Sequence, residues 1–576
     1  MLKPAPLGSE GHESAARHPR RTEERDNFLL QVSHLSVEYH ARPNQVHRAL
    51  NDLTFAISAG EVIGIIGESG SGKSTLALAL LRLLPECGKI STGSILFQGH
   101  DLLQLDEKRL QSVRGSEMAL ISQEPAMALN PCLRVGDQIC EVMRAHRPGS
   151  KIERRQSAEK LLLDVGLTDV QRVYSAYPHE LSGGQQQRVA IAQALSCSPA
   201  LLIADEPTSA LDVTTQAELL VYLKKLKSDL GRAILMITHD IATLAGLADR
   251  VLVLHAGELV EEGSFARISK TPAHIYTRSV IAGLLPHTPA KSNDGARLDA
   301  ATPAAEKNRE LVLVAARLKK TYSGRRLFSR TRHAGVEALS DINLELSAGC
   351  TLGLVGESGS GKSTLARCLA ALERPDSGNV LLGGCDLFRL SRRQLRDRRR
   401  AVQLVFQNAP GALNPWFTLE QTVAEPLAIS GLPRHHARDR ALELMQQVGL
   451  PTNWSQRRPP ELSGGQRQRL AIARALAASP TVLIFDEPFS GLDLPVQRQL
   501  MELLRKLQAS FSLAYLFITH DLRMAAWIAD EIAVMQAGRI VERAPTPDLL
   551  ADPQHAYTRR LFNAIPRAGL SVLALT

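Results

Sequence analysis

Eleven consecutive residues, Gly67–Ala77 (GESGSGKSTLA), recur unchanged at Gly356–Ala366. A chain that repeats a segment of this length is constrained to fold as two copies of one unit. Four later landmarks recur in the same order: Gln123 and Gln407, Arg188 and Arg469, Glu206 and Glu487, His239 and His520. The offset is 289 residues between Lys73 and Lys362, 284 between the glutamines, and 281 for the last three pairs. The second copy is thus eight residues shorter between its first and third landmarks, and in register afterwards. The 576 residues divide into a leader at 1–27, a first domain at 28–285, a linker at 286–310, a second domain at 311–566 and a tail at 567–576. The linker Pro286–Glu310 is rich in Pro, Ala and charge and lacks apolar periodicity, which reads as a surface tether.

Bulk properties narrow the class. Hydrophobic residues at 44% and charged residues at 22% describe a globular chain. Apolar runs such as Ala233–Ile237 are strand-sized, whereas a membrane span needs about 18 residues. Met1–Asn27 carries Arg, Glu and Pro without an apolar signal region, so it reads as a disordered leader and the chain is expected on the cytoplasmic side. Seven cysteines without a C-x-x-C pair argue against a disulfide framework or structural zinc, and most are expected in the core. The net charge of +9 suits nucleic acid and anionic lipid equally. It is clumped at Arg389–Arg400 and Arg325–Arg332; a solvated face is the first reading, and contact with headgroups or an acidic partner loop the sharper one.

Each half opens with a β-like run, Leu29–Tyr39 and Leu311–Tyr322. Short continuous apolar runs follow, Val62–Ile66 and Leu352–Val355, then Leu201–Ala204 and Val482–Phe485, with helical stretches such as Gln185–Leu195 and Gln466–Leu476 between. Buried strands alternating with helices imply a largely parallel α/β sheet.

The motifs sit at the ends of those strands. Gly67, Glu68, Ser69, Gly70, Ser71, Gly72, Lys73, Ser74 and Thr75 fit the phosphate-binding loop G-x-x-x-x-G-K-[ST] and its flank. Gly356, Glu357, Ser358, Gly359, Ser360, Gly361, Lys362, Ser363 and Thr364 fit it again. Glycines let successive N–H groups turn toward a polyphosphate, and the following helix adds its dipole. The lysines would reach the β- and γ-phosphates, and the Ser74 and Ser363 hydroxyls would ligate Mg²⁺. Asp205-Glu206 and Asp486-Glu487 end apolar strands at the sheet edge where α/β proteins bind ligands. Asp205 and Asp486 would hold Mg²⁺, and Glu206 and Glu487 would orient and deprotonate the attacking water. An acidic pair at a strand end is weak evidence alone; its weight comes from following a phosphate-binding loop twice.

Leu181-Ser182-Gly183-Gly184-Gln185 and Leu462-Ser463-Gly464-Gly465-Gln466 each open a helix with a serine N-cap, another anion-binding turn. This ordered set resembles the ATP-binding-cassette (ABC) ATPases from about Phe28 to Ala282 and from Leu311 to Ile565. The resemblance implies two tandem P-loop NTPase domains. Each has a RecA-like α/β core, a helical arm and an N-terminal antiparallel β subdomain. It also implies an intramolecular head-to-tail dimer in which LSGGQ of one half closes over ATP held by the other. Lys73 and Glu206 would then face Ser463, Gly464 and Gly465, and Lys362 and Glu487 would face Ser182, Gly183 and Gly184. Gln123 and Gln407 match the family's Mg²⁺-sensing, transporter-touching glutamine, and His239 and His520 its switch histidine. Tyr39 and Tyr322 match its adenine-stacking aromatic, and Asp212 and Asp493 its D-loop aspartate. Phe489 in place of the usual threonine and Asn408-Ala409-Pro410 are departures that remove no ligand or base, so two hydrolytic sites are expected.

Leu129-Asn130-Pro131 and Leu413-Asn414-Pro415 follow the two glutamines, and P-x-H-x-Y-T recurs at Pro272–Thr277 and Pro553–Thr558. Both resemble the peptide/nickel importer subfamily. That implies two membrane permeases, a substrate-binding protein, peripheral placement at the inner membrane, and uptake of peptides, nickel, glutathione or similar chelates. Leu284–Glu310 lacks the cysteine cluster of many members, so no iron–sulfur cluster is expected, and no nucleic acid. The other reading is a soluble tandem ABC ATPase acting on ribosomes or DNA. The 108 and 100 residues between lysine and LSGGQ leave room for a helical arm in both halves, which favours transport.

Overall fold

A computed structural model describes residues 28–42, 45–68, 70–208, 211, 213–282, 310–322, 336–406 and 409–564. The leader 1–27, all of the linker except Glu310, the tail, the Arg325–Arg332 insertion, Ser69, Asp212 and Gln407 lie outside the described residues.

Each half carries two sheets. In the first, Gln45–Ser58, Phe28–Arg42, Gly88–Phe97 and His100–Asp101 form an antiparallel sheet in that order. Beside it lies a six-stranded sheet ordered Glu258–Ser264, Arg250–His255, Val62–Ile66, Ala233–Ile237, Leu201–Asp205 and Met118–Ile121. Only the edge strand Glu258–Ser264 runs antiparallel to its neighbour; the remaining pairs are parallel. The second half repeats both sheets, with Thr351–Val355 between Ala514–Thr519 and Glu531–Gln536.

The continuous apolar runs follow from burial on both faces. Ile63 and Ile65 enter a core shared with the antiparallel sheet, Leu30, Val32 and Phe97 among it. Val62 and Ile66 point the other way, into a core with the arm residues Val135, Ile139 and Leu162. Val482 and Ile484 split from Leu483 and Phe485 in the same manner. The arm is built from Val135–His146, Lys151–Asp164 and Val170–Ser175, and in the second half from Leu419–Ile429 and Arg434–Gln447. The shorter second copy loses length at the strand Ser377–Leu382, six residues against ten in Gly88–Phe97, and in the arm, where the 3₁₀ turn Thr452–Trp454 stands in place of a third helix.

One expectation is corrected. Only Cys197 and Cys368 are buried, while Cys87 and Cys132 are exposed and the other three intermediate. Cys87 precedes a strand in a turn and Cys132 follows Asn130 in a loop, positions where backbone geometry rather than the apolar core determines exposure. Among the described residues, no helix is long and apolar enough to cross a membrane. The arginines of Arg392–Arg398 lie on a solvated face.

Candidate nucleotide sites

Strand Val62–Ile66 delivers the chain to the carboxyl edge of the sheet, and helix Lys73–Leu80 departs from it. The turn between them needs glycine. Gly72 caps the helix at φ 101°, and a Cβ there would come 2.5 Å from the Ala49 carbonyl oxygen. Gly361 repeats this at φ 107°, 2.2 Å from the Ala338 oxygen. No L side chain fits either position.

Lys73 folds back on its own loop, its Nζ donating to Gly67 O at 2.8 Å, Glu68 O at 2.7 Å and Ser71 Oγ at 3.4 Å. Lys362 does the same with Gly356 O, Glu357 O and Ser360 Oγ at 2.7, 2.7 and 3.4 Å. Burial depresses the Lys73 pKa, although the carboxylates of Asp493, Glu206, Asp205 and Glu68 pull it upward. Asp493 belongs to the other half, so the second D-loop lies within electrostatic reach of the first phosphate-binding loop.

Ser363 Oγ donates to Asp486 Oδ1 at 3.1 Å, and Ser74 hydrogen-bonds Asp205. Burial raises both aspartate pKa values, against the serine bonds. Glu206 and Glu487 adopt φ of 48° and 47°, a left-handed conformation uncommon outside glycine that turns each carboxylate off the strand end. Both amides donate across the sheet, to Ile237 O and Ile518 O at 2.9 Å, which holds that turn in place. His239 Nδ1 lies 3.2 Å from Glu206 Oε1, and His520 Nδ1 lies 3.3 Å from Glu487 Oε2. Burial would raise these glutamate pKa values, but the histidine bond and charge outweigh it and hold both below the ordinary range. Burial would likewise lower the histidines, and the glutamates hold them raised. Gln123 Nε2 donates to Glu206 Oε2 at 3.0 Å, so this glutamine meets the acidic group of its own half.

Ser182 and Ser463 cap helices Gly183–Leu195 and Gly464–Leu476 with capping boxes closed by Gln185 and Gln466. The LSGGQ glutamine thereby fixes the turn that aims the helix N-terminus. Tyr39 OH lies 3.3 Å from Thr75 Oγ1, at the start of the loop's helix; Tyr322 is 39% exposed, with Lys320 Nζ 5.7 Å from its ring centroid. Thr364 accepts from Arg367 Nη2 at 3.4 Å. Phe489 is buried against Phe517, ring centroids 5.5 Å apart.

The halves meet at these loops. A cavity of about 110 Å³ is lined from one side by Glu206 and His239 and from the other by Glu487 and His520. Thr214 Oγ1 donates to Glu357 Oε1 at 2.8 Å. Arg523 Nη2 bridges Asp240 Oδ2 of the first half at 3.0 Å and Asp521 Oδ2 of its own at 2.9 Å. The charges of Asp521 and Asp240 raise the Arg523 pKa, keeping it cationic. Motif reading missed Arg523 because it follows His-Asp where the first copy has Ala242; aligning the repeats for differences would have exposed it.

The ABC transporter family model matches residues 50–209 and 339–490, and the model for the oligopeptide/dipeptide transporter C-terminal region matches 541–571. The glutathione import ATP-binding protein GsiA of Escherichia coli (strain K12) is 40% identical over 94% of this chain and 90% of that protein. Its namesake in Salmonella choleraesuis (strain SC-B67) is 40% identical over 96% and 92%. A solved dimeric ATP-binding cassette bound to ADP and Pi is 31% identical, covering 41% of this chain and 98% of that one, with a TM-score of 0.38. Two cassette matches in one polypeptide and full-length relatives at this identity show that the chain belongs to the ABC transporter family, as an ATP-binding, ATP-hydrolysing subunit.

Proposed function

We propose that this chain powers uptake of glutathione, or of short peptides and chelates of similar size. Its partners are two separate membrane permease subunits and a substrate-binding protein, and it sits peripherally on the cytoplasmic face of the inner membrane. The observation that carries this reading is the joint likeness to glutathione import ATP-binding proteins along nearly the whole chain and to an oligopeptide/dipeptide transporter region at 541–571.

In this reading the two halves close head to tail over two ATP molecules. Each phosphate-binding loop wraps the phosphates with its N–H groups, and Lys73 and Lys362 exchange their own loop carbonyls for phosphate oxygens. Ser182, Gly183 and Gly184 close on the second site, and Ser463, Gly464 and Gly465 on the first. Tyr39 and Tyr322 stack on adenine, and Asp212 and Asp493 join the sites across the interface. Ser74 with Asp205, and Ser363 with Asp486, would hold Mg²⁺, which neutralises phosphate charge when bound. The fit rests on hard oxygen donors and on Asp205 Oδ1, which is buried with no hydrogen-bond partner among the described residues. Gln123 and Gln407 sense that site and carry its state toward the arm. Glu206 and Glu487 accept the proton of the attacking water, while His239 and His520 hold those carboxylates in line and meet the γ-phosphate. Closure then draws the permease halves together as rigid bodies.

Uptake of labelled glutathione, dipeptides and nickel in cells with and without the gene tests the substrate class. Loss of glutathione or dipeptide uptake is expected. Unchanged uptake of all three, with the protein on ribosomes, would overturn the reading. Closure is tested by cysteines placed at Ser71 and Ser463: ATP should drive a crosslink within one chain in dilute solution, and crosslinks formed only between chains would refute the intramolecular dimer.

A further inference from the structure

The P-x-H-x-Y-T segments, which entered as subfamily markers, reach the phosphate-binding loops. Tyr276 OH accepts from the Glu68 amide at 2.8 Å, and Tyr557 OH accepts from the Glu357 amide at 3.0 Å. Each amide belongs to the peptide unit whose carbonyl, Gly67 O or Gly356 O, takes the loop lysine at 2.8 or 2.7 Å. In a trans peptide the N–H and C=O point in opposite directions. Tyrosine and lysine therefore grip one rigid plane from its two edges, and together they fix its rotation.

The rest of the motif places that tyrosine. His274 Nδ1 and His555 Nδ1 accept the amides of Tyr276 and Tyr557, both at 3.2 Å, capping the start of each helix. Pro272 O and Pro553 O accept from Arg278 Nε and Arg559 Nε, at 3.2 and 2.8 Å. Glu261 accepts the amides of Ala273 and His274, and Glu542 those of Gln554 and His555, which ties each segment to its edge strand. The rings are pinned as well: His255 lies 3.9 Å from Tyr276 by centroid, and Arg560 sits over Tyr557. Both tyrosines are buried, at 8% and 2% exposure, and burial pushes the Tyr276 phenol up to about 12, so it stays neutral.

We propose that Tyr276 and Tyr557 are positioning residues for ATP, clamping the first peptide of each phosphate-binding loop so that it keeps its orientation when the lysine leaves for the phosphates. Lysine and tyrosine share the hold before nucleotide arrives; afterwards the tyrosine holds alone. The cost of losing it falls on the ATP-bound state. This rests on the loops binding the phosphates.

Tyr276→Phe and Tyr557→Phe, made singly in the full chain, keep the ring and remove the hydroxyl. Each should raise the KM and Kd for ATP at its own site about three- to ten-fold, with kcat at saturating ATP changed less than two-fold. The melting temperature without nucleotide should stay near the parent's. Amide exchange of the segment 67–74 or 356–363 should speed up in the ATP-bound protein, and this readout decides even if the variant is less stable. An ATP Kd within two-fold of the parent, or unchanged exchange with ATP bound, would overturn the clamp. Lys73→Ala and Lys362→Ala run alongside: retained ATP affinity there would fault the assignment of the loops themselves, not the tyrosines.

Discussion

The two halves agree at the glycine-rich loops and the acidic strand ends and diverge around them. The lysine contacts, the histidine–glutamate distances, the tyrosine hold and the left-handed glutamates differ between copies by at most 0.2 Å or a degree. Thr208 against Phe489, Ala242 against Arg523 and three arm helices against two show how far the surroundings have parted. A loop that must wrap a nucleotide tolerates little displacement, whereas a core or an interface accepts any filling that packs. The duplicated chemistry also sits in unequal frames, so equal-looking sites need not work equally.

The strongest way to break that comparison is to disable the sites, first together and then one at a time. Glu206→Gln and Glu487→Gln together should lower ATP hydrolysis by about 10²-fold or more while ATP binding survives, because the amide keeps the shape but accepts no proton. Steady-state phosphate release and nucleotide binding check this, and parental turnover would refute the role of the glutamates. Equal effects of the two single variants would mean the frames do not matter to chemistry; unequal ones would rank the sites.

Next in size is Phe489→Thr, which installs the first half's residue in the second. Phe489 packs on Phe517 within a cluster that includes Phe485, whose ring meets Tyr515 edge-on at 5.2 Å. The change should cost about 3 kcal/mol of stability in the second half by leaving a cavity, read as a lower denaturation midpoint. An unchanged midpoint would show that the second core tolerates the first half's packing.

Arg523→Ala attacks the join. It strips a mostly buried cation from Asp240 and Asp521 and should weaken the contact between halves by about 2 kcal/mol. ATP concentration curves should become less cooperative, since Asp240 and Asp521 directly follow His239 and His520, which contact Glu206 and Glu487. Exchanging the charges as Asp240→Arg with Arg523→Asp tests the pairing; recovery beyond either single variant supports it, and additive losses refute it.

What could be read without coordinates was whatever repeats or alternates. The buried strands were legible because burial on both faces leaves an unbroken apolar run, and structure extends them only by single residues, to Asp205 and Asp486. The helices begin two residues before the predicted Gln185 and Gln466, since the LSGGQ glycines themselves form the first turn. The partners of Arg523, Tyr276 and Tyr557 were illegible for a physical reason: each contact joins residues about 200 or more positions apart, and no local period encodes such a pairing. The cysteine expectation failed because residue type sets only an average burial, while turn placement exposes Cys87 and Cys132.

The smallest expected effect concerns the edge anchors that the halves share. Burial alone would raise the carboxyl pKa of Glu261 and Glu542, yet the amides they accept and the neighbouring Thr277 and Thr558 side chains hold both below the ordinary value near 4.5. A carboxyl depressed on folding adds stability that is fully present above its unfolded pKa and disappears as pH falls through its folded one. The anchors should therefore work at neutral pH and fail on the acid side of the ordinary glutamate range, where both carboxyls take up protons. Glu261→Gln and Glu542→Gln each retain one acceptor oxygen and lose one charged hydrogen bond, so about 1 kcal/mol should be lost at pH 7. As pH falls through the folded pKa, variant and parent should converge, because the parent carboxyl becomes neutral too. Denaturant titrations from neutral to acid pH should therefore show both penalties level at neutral pH and shrinking together on the acid side. A penalty in either variant that stays the same as pH falls would refute the charged carboxylate as that half's anchor.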